Sequence, residues 1–183
     1  PFFIVGSIQL LTLQKKQLNF KFKIKKINDN FKIDDLRIDE LPVYDIDYKQ
    51  KKPFENTSNK SNKYIFECFD MAINLAKKKK IAGFINCPIS KEFLFEKKYQ
   101  GITEYLSNKL GVKGKEVMLI FNKKLSVSPI TTHLPLNQVS KKLKKNKIIK
   151  NVKIINSFYK KILKKKTKFR FSGIKSTQFF TIK

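Results

Sequence analysis

The only histidine of the chain, His133, is the residue whose type most directly suggests chemistry. It lies in the sequence Thr-Thr-His-Leu-Pro-Leu at 131–136, directly after a predicted strand. Open α/β sheets bind ligands outside the carboxyl ends of their strands, so this position suits a metal or substrate ligand. Considered alone, a single histidine at a strand end is more often structural. His133 is therefore a candidate whose support must come from its surroundings.

Two polar segments earlier in the chain are further candidates. Gly-Ile-Thr-Glu-Tyr-Leu at 101–106 opens a predicted helix, and Thr103 can cap that helix. A hydroxyl and free backbone N–H groups at a helix N-terminus also suit an anion, and the two roles are compatible. Asn-Cys-Pro-Ile-Ser-Lys at 86–91 follows an apolar run, and Ser90 can cap a short helix. The sequence contains no GxGxxG, P-loop, HExxH, GxSxG or CxxC pattern.

An α/β domain is expected to position these segments, because short apolar runs alternate with amphipathic stretches. Predicted strands lie at residues 2–5, 20–24, 42–46, 81–85, 117–121 and 125–131, and another begins at 168. Predicted helices lie at residues 8–18, 65–76, 90–96, 103–110 and 148–162, and another begins near 135. Residues 81–85 are expected to form a central strand. Residues 29–47 and 49–62 are expected to be mostly loop.

The net charge of +27 raises the question of a nucleic-acid partner. Only Arg37 and Arg170 are arginine, whereas proteins that read bases or clamp phosphates favour its planar fork. The lysines are spread through the chain and cluster at the ends of predicted helices, where positive charge suits the helix dipole. Solvated surface charge without a nucleic-acid partner is the interpretation favoured here. A basic nucleic-acid-binding protein is the alternative, and its binding would weaken steeply with salt.

The cysteines and the hydropathy pattern indicate a cytoplasmic protein without a membrane span. Cys68 and Cys87 lack the spacing of a disulfide framework or zinc knuckle and are expected to be reduced thiols. There is no apolar run of about 18 residues and no signal peptide at residues 1–5. Because Pro1 rather than methionine comes first, the true start is expected to be missing.

Several of these segments together resemble the 4-hydroxythreonine-4-phosphate dehydrogenase family. Residues 85–91 are similar to its Pro-Ile-Asn/Ser-Lys segment, and 101–106 to its Gly-His-Thr-Glu-Phe/Tyr-Leu motif. Residues 117–136 resemble its paired strands and the Thr-Thr-His-(Leu/Ile)-Pro signature that follows them. Residues 1–7 are similar to the strand that opens the family's second βα unit. The motifs occur in the family's order, and the resemblance extends from residue 1 to about 173.

The resemblance implies a three-layer α/β/α fold of the isocitrate/isopropylmalate dehydrogenase type, here incomplete. It also implies a cytoplasmic homodimer that uses NAD and a divalent metal (zinc, magnesium or cobalt) held by three histidines. On that pattern His133 is a metal ligand and Thr103 contacts the phosphorylated substrate. The implied reaction oxidises 4-phosphohydroxy-L-threonine, and the β-keto acid loses carbon dioxide to give 3-amino-2-oxopropyl phosphate, a step of vitamin B6 biosynthesis.

The sequence departs from the family pattern in three ways. Ile102 stands where the family has a substrate-contacting histidine. The family's opening Gly-Asp-Pro-Ala-Gly-Ile-Gly-Pro segment and its two later metal histidines are absent, so the chain is expected to be truncated at both ends and inactive by itself. Ile102 also leaves open a related dehydrogenase that acts on another hydroxy acid. Catalytic and NAD-contacting residues are not identified.

The tail at residues 174–183 is predicted to differ from the dehydrogenase part at 1–173. Ile-Lys-Ser-Thr-Gln at 174–178 can be encoded ATT AAA TCC ACA CAA. Read one base later, these letters give Leu-Asn-Pro-His, the sequence with which the family continues after the glycine that corresponds to Gly173. A frameshift is therefore one hypothesis for the tail, and a natural tail with a chance match is the other. The frameshift hypothesis predicts that residues 178–183 pack poorly and are disordered.

Overall fold

The computed structural model describes residues 1–36, 39–56, 58–96, 98–122, 124–132, 134–174 and 177–182, with backbone alone for Leu136 and from residue 171 onward. The described chain divides into two compact units, residues 1–102 and 103–183. No helix of the described residues is long and apolar enough to cross a membrane.

The first unit is built on a three-stranded parallel sheet. Its strands are β1 (Ile4–Gly6), β2 (Lys23–Ile27) and β3 (Glu40–Asp45), in the order β1-β3-β2. Val5 and Ile27 both pair with Tyr44 of the central strand. The strands predicted at 2–5, 20–24 and 42–46 are thereby confirmed, with boundaries shifted by one to three residues.

Helix α1 (Ile8–Gln17) connects β1 to β2 and has a well-defined cap at each end. The Ser7 hydroxyl accepts a hydrogen bond of 3.2 Å from the backbone N–H of Leu10, which makes Ser7 the N-cap. At the other end Asn19 adopts φ +55°, and the N–H of Phe20 donates to the carbonyl of Lys15 at 3.0 Å. Asparagine tolerates this left-handed conformation better than most residues. The chain can therefore reverse into β2.

Helix α2 (Asn62–Lys77) supplies much of the core of the first unit, as its apolar periodicity predicted. It packs against β1. A short helix, α3 (Lys91–Phe95), adds buried apolar side chains, and 3-10 turns occur at Ile33–Asp35 and Asn59–Ser61. Among the described residues, the buried apolar side chains of this unit are Ile27, Pro42, Val43, Phe69, Ala72, Ile73, Leu75, Leu94 and Phe95.

The prediction of a central strand at residues 81–85 is wrong. The backbone there is irregular, and Ile85 is fully exposed. Phe84 still contacts Phe69 of α2, with ring centroids 6.4 Å apart. An apolar run indicates a tendency to be buried, but a strand also needs a hydrogen-bonding partner. No described strand pairs with this segment.

The described part of the second unit contains three helices and an antiparallel sheet. The helices are α4 (Ile102–Lys109, whose first residue closes the first unit), α5 (Leu136–Lys142) and α6 (Lys145–Lys161). The strands are β4 (Ser126–Pro129), β5 (Phe169–Ile174) and β6 (Thr177–Ile182), in the order β4-β6-β5. All three helices and the strands β4 and β5 were predicted.

The core of the second unit lies between α6 and the segment around β4. Ile155 and Tyr159 of α6 are buried and pack against Val117, Leu119, Leu163 and Phe169. The Tyr159 hydroxyl donates a hydrogen bond of 2.7 Å to the Ser126 hydroxyl, which in turn bonds to the backbone of Asn122. This buried polar chain connects α6 to the start of β4.

Two predictions for the second unit need correction. Of the predicted strand at 117–121, only Ile120 pairs, through an isolated antiparallel bridge to Val127. The disorder expected for residues 178–183 is also wrong for the described part, because residues 177–182 form β6 between β4 and β5. Lys183 lies outside the described residues. Threonine, phenylalanine and isoleucine favour strands, so the tail's own composition explains β6 without any family pattern.

Candidate functional site

The N-terminus of α4 brings together two of the predicted site residues. The helix begins at Ile102, so Thr103 lies within its first turn and is not the N-cap that the sequence suggested. Ile102 is half-buried, Thr103 is exposed, and Glu104 is the acidic residue of the same turn. Backbone N–H groups of a first turn lack partners within the helix. Thr103 can therefore offer its hydroxyl group to a ligand from the surface.

The rest of α4 is partly buried and has a well-defined C-terminus. Tyr105 and Ser107 are buried, and the Ser107 hydroxyl donates a hydrogen bond of 3.1 Å to the carbonyl of Glu104. The helix ends at Lys109, and the predicted stop, Gly111, lies just beyond it with φ +67°. The N–H of Val112 donates a hydrogen bond of 2.9 Å to the Ser107 carbonyl. This arrangement favours glycine because other residues are strained at positive φ.

The segment that leads to His133 passes from the core to the surface after β4. Ile130 and Thr131 are 2% and 8% exposed, whereas Thr132 is exposed. His133 itself lies outside the described residues, so its role as a metal ligand stays a prediction. Helix α5 begins just beyond, with Pro135 at the N-cap position. The end of β4 is thus close in sequence to the start of α5, but β4 belongs to an antiparallel sheet and not to the parallel sheet that the sequence argument assumed.

The described residues do not supply a metal site by themselves. Among them, no three histidine, cysteine, aspartate or glutamate side chains are close enough together to hold a metal ion. The donor set therefore does not fit a resident divalent cation without residues from elsewhere.

The third candidate segment, residues 86–91, belongs to the first unit and is largely exposed. Ser90 occupies the N-cap position of α3, but its side chain makes no capping hydrogen bond. Asn86 instead uses its amide to donate to the neighbouring carbonyl of Cys87 at 3.0 Å. The predicted cap position is confirmed, and the predicted capping bond is not formed.

The N-terminus of α1 was not singled out from the sequence as a functional feature. The N–H of Ser7 donates to the Tyr64 hydroxyl at 2.9 Å, and the N–H of Ile8 donates to the Asp45 carboxylate at 3.0 Å. Asp45 also pairs with Lys26 at 3.0 Å. Side chains of the protein thus occupy the N–H groups that an external anion would use. Ser7 gives a local capping signal, but Tyr64 lies 57 residues away and gives none.

The electrostatics of this turn follow from burial and hydrogen bonding. Burial raises the pKa of Asp45, but the bonds from the Ile8 N–H and Lys26 outweigh it, so the net pKa lies below the usual value. Burial raises the pKa of Tyr64 well above its usual value. Burial also raises the pKa of Cys68 to about 11, despite its hydrogen bond with Tyr64. Asp45 is therefore charged near neutral pH, while Tyr64 and Cys68 keep their protons.

Comparison with solved structures defines the class of fold. The chain matches the crystal structure of 4-hydroxythreonine-4-phosphate dehydrogenase from Klebsiella pneumoniae with a TM-score of 0.71 and 22% identity. The match covers 86% of this chain and 50% of that one. The fold is therefore the α/β fold of the isocitrate dehydrogenase type, in incomplete form, as the sequence resemblance implied.

Sequence comparison then gives the family. The family model described as pyridoxal phosphate biosynthetic protein PdxA matches residues 1–174, and the chain belongs to this family. The 4-hydroxythreonine-4-phosphate dehydrogenase of Sulfurihydrogenibium sp. is 36% identical over 163 residues, which cover 86% of this chain and 48% of the relative. That of Aquifex aeolicus is 33% identical over 156 residues, which cover 83% and 47%. The chain spans about half the length of these curated relatives.

Proposed function

We propose that this chain is part of an NAD-dependent dehydrogenase of vitamin B6 biosynthesis. The whole protein would oxidise 4-phosphohydroxy-L-threonine, and the resulting keto acid would lose carbon dioxide to give 3-amino-2-oxopropyl phosphate. The observation that carries this proposal is the family match over residues 1–174. The names of the two relatives that are more than 30% identical support the same substrate.

We assign Thr103 to the phosphorylated substrate and His133 to the metal. The exposed position of Thr103 in the first turn of α4 supports the first role, because a hydroxyl there suits a phosphate oxygen. Ile102 would contribute an apolar contact beside it. Imidazole is a common ligand of zinc and other divalent metals, which supports the second role. Since the described residues do not complete a metal group, the other ligands would come from outside them.

The chain by itself is expected to show no NAD-dependent turnover. It covers 48% of its Sulfurihydrogenibium relative, and its described residues include no group able to hold a metal. NADH formation by this chain alone would contradict the expected inactivity.

For the whole protein we propose a homodimer in the cytoplasm. Light scattering of the whole protein would test the dimer.

A second substrate is supported by a more distant relative. A protein of Oceanobacillus iheyensis, provisionally named a D-threonate 4-phosphate dehydrogenase, is 26% identical over 154 residues. The two substrates share a phosphate and a hydroxyl-bearing carbon chain. Ile102, which replaces the histidine expected from the resemblance, supports a changed substrate contact at this point. A related dehydrogenase for another hydroxy acid is therefore the alternative.

A chimera tests both substrates. This chain would be joined to the part of the Sulfurihydrogenibium relative that lies outside the aligned region, and NADH formation would be followed with each substrate. We expect turnover with 4-phosphohydroxy-L-threonine. Thr103→Val should raise KM mainly, whereas Thr12→Val, the same change at an exposed position of α1, should leave the kinetics unchanged. A folded, dimeric chimera without turnover on either substrate would contradict the proposal.

A further inference from the structure

The positive charge of the protein is concentrated in the second unit. Residues 103–183 contain 21 of the 41 lysines and arginines but only two of the 14 acidic residues, Glu104 and Glu116. This part of the chain therefore carries +19 of the total +27. Helix α6 has six lysines and no acidic residue. The lysines are spread along the whole chain, as expected. The carboxylates that would balance their charge lie mostly in residues 1–102.

One face of α6 combines this charge with exposed apolar surface. A groove of about 520 Å³ is bordered by residues that recur along the helix at intervals of three and four, and by one lysine of the loop after α4. The lining residues are Lys115, Asn146, Ile149, Lys150, Lys153 and Ile154. The opposite face of α6 is buried through Asn151, Ile155 and Tyr159. The groove therefore lies on the outer face of a helix whose other face is already packed.

The lysines of the groove have no balancing charge. Lys115, Lys150 and Lys153 are exposed, and none of them pairs with a described carboxylate. Between them Ile149 leaves 41% of its surface exposed. A partner with carboxylates and apolar side chains could neutralise these lysines and cover the isoleucine side chains between them, because complementary charges favour association.

We propose that this groove binds an acidic amphipathic helix of a partner protein. The lining from Asn146 to Ile154 spans about 12 Å along α6, which corresponds to about two turns of a bound helix. Leucine-type side chains of the partner would pack on Ile149 and Ile154. Its carboxylates would pair with Lys115, Lys150 and Lys153, as in other complexes that hold a helix in a groove.

The chemistry of the lining favours this partner over nucleic acid or a membrane. The described lining of the groove contains neither arginine, which binds phosphate in a fork, nor an aromatic ring, which stacks on bases. Membrane-surface helices insert their apolar face into lipid. The apolar face of α6, which contains Ile155 and Tyr159, is instead packed in the core of the second unit.

Binding of a defined peptide to the full chain tests the proposal. The probe is a fluorescein-labelled peptide of about 18 residues, with leucine at helical spacing and glutamate on its other positions, followed by fluorescence anisotropy. A second peptide replaces each glutamate with glutamine. The groove variant is Lys150→Gln/Lys153→Gln. The matched control is Lys160→Gln/Lys161→Gln, which makes the same change in net charge on the same helix outside the lining.

The acidic peptide should bind more tightly than the glutamine peptide, and the groove variant should weaken binding by about 2- to 30-fold. The control variant should bind like the original chain. Lys115→Gln, which changes the one lining residue outside α6, should also weaken binding of the acidic peptide. Thermal unfolding verifies that each variant is folded. Three results would overturn the proposal: no binding, equal weakening by both double variants, or tighter binding of oligothymidylate or phosphatidylserine vesicles that depends on Lys150 and Lys153.

Discussion

The hydroxyl oxygen of Tyr64 accepts a hydrogen bond of 2.9 Å from the backbone N–H of Ser7, and so joins α2 to the turn between β1 and α1. Ser7 is 1% exposed, and its hydroxyl donates to the carbonyl of Tyr48 at 2.9 Å. The Tyr64 ring stacks on Tyr48 with centroids 4.5 Å apart. One tyrosine therefore holds three segments of the first unit together.

Removing the Tyr64 hydroxyl should destabilise the protein. Tyr64→Phe leaves the buried N–H of Ser7 without its acceptor, and we expect a loss of about 1–3 kcal/mol in the free energy of unfolding. Tyr44→Phe is the matched control, because the Tyr44 hydroxyl bonds to Asp29 at an exposed position. The control should cost less than about 1 kcal/mol. Urea unfolding measures both changes, and equal losses would contradict the role given to the Ser7 bond.

Gly6 is required by the same contact. A Cβ atom at this position would lie 2.9 Å from the Tyr64 hydroxyl oxygen, closer than van der Waals contact allows. Gly6→Ala should therefore destabilise the protein by about 1–3 kcal/mol, whereas Gly83→Ala, which has open space around it, should be nearly neutral. In the double variant with Tyr64→Phe the clash disappears. The loss of stability in the double variant should therefore be smaller than the sum of the losses in the two single variants. A loss equal to that sum would contradict this explanation.

The raised pKa of Cys68 predicts a loss of stability in alkali. The thiol titrates at about 11 in the folded protein, compared with an ordinary value of 9.0, so the unfolded chain loses this proton first. Stability contributed by the folded thiol is complete below about pH 9 and declines as the pH rises toward 11. In urea titrations across this range Cys68→Ser should show a shallower decline than the original chain. Cys87→Ser, at an exposed thiol, should follow the original curve.

The assignment of His133 predicts weak metal binding by the chain alone. One imidazole supplies a single ligand, and structural or catalytic zinc sites use three or four. Calorimetric titration with zinc or cobalt should therefore show weak binding, and His133→Ala should abolish it. Tight binding that survives this substitution would place the metal site elsewhere in the chain.

The frameshift hypothesis makes a prediction about the coding DNA. The family match ends at residue 174, where the sequence Ile-Lys-Ser-Thr-Gln begins. We propose that residues 174–183 are a tail distinct from the dehydrogenase part at 1–173. Resequencing should find Leu-Asn-Pro-His in the neighbouring frame, followed by a long open frame with another histidine codon. A neighbouring frame without these features would eliminate the hypothesis.

Local patterns predicted the elements of this protein better than they predicted its contacts. Helices α2 and α6 were predictable because their apolar residues repeat at helical spacing over about three to four turns. The irregular backbone at 81–85 was not, because an apolar run carries no information about a strand partner. The bond between Ser7 and Tyr64 joins residues far apart in sequence. For Thr103, the motif identified the right helix, but the exact helix start, Ile102, depends on backbone geometry that the motif does not encode.

The position of β6 sets the order in which the second unit can be assembled. Strands β4 and β5 do not pair with each other, because β6 lies between them. During synthesis, Ser126–Pro129 leaves the ribosome about fifty residues before its partners at Phe179–Ile182. Until those residues emerge, β4 has a free edge that can pair with other chains. The completed sheet depends on contacts between distant residues, which form slowly. Newly made chains therefore pass through an interval in which this edge of β4 is open to pairing with other chains.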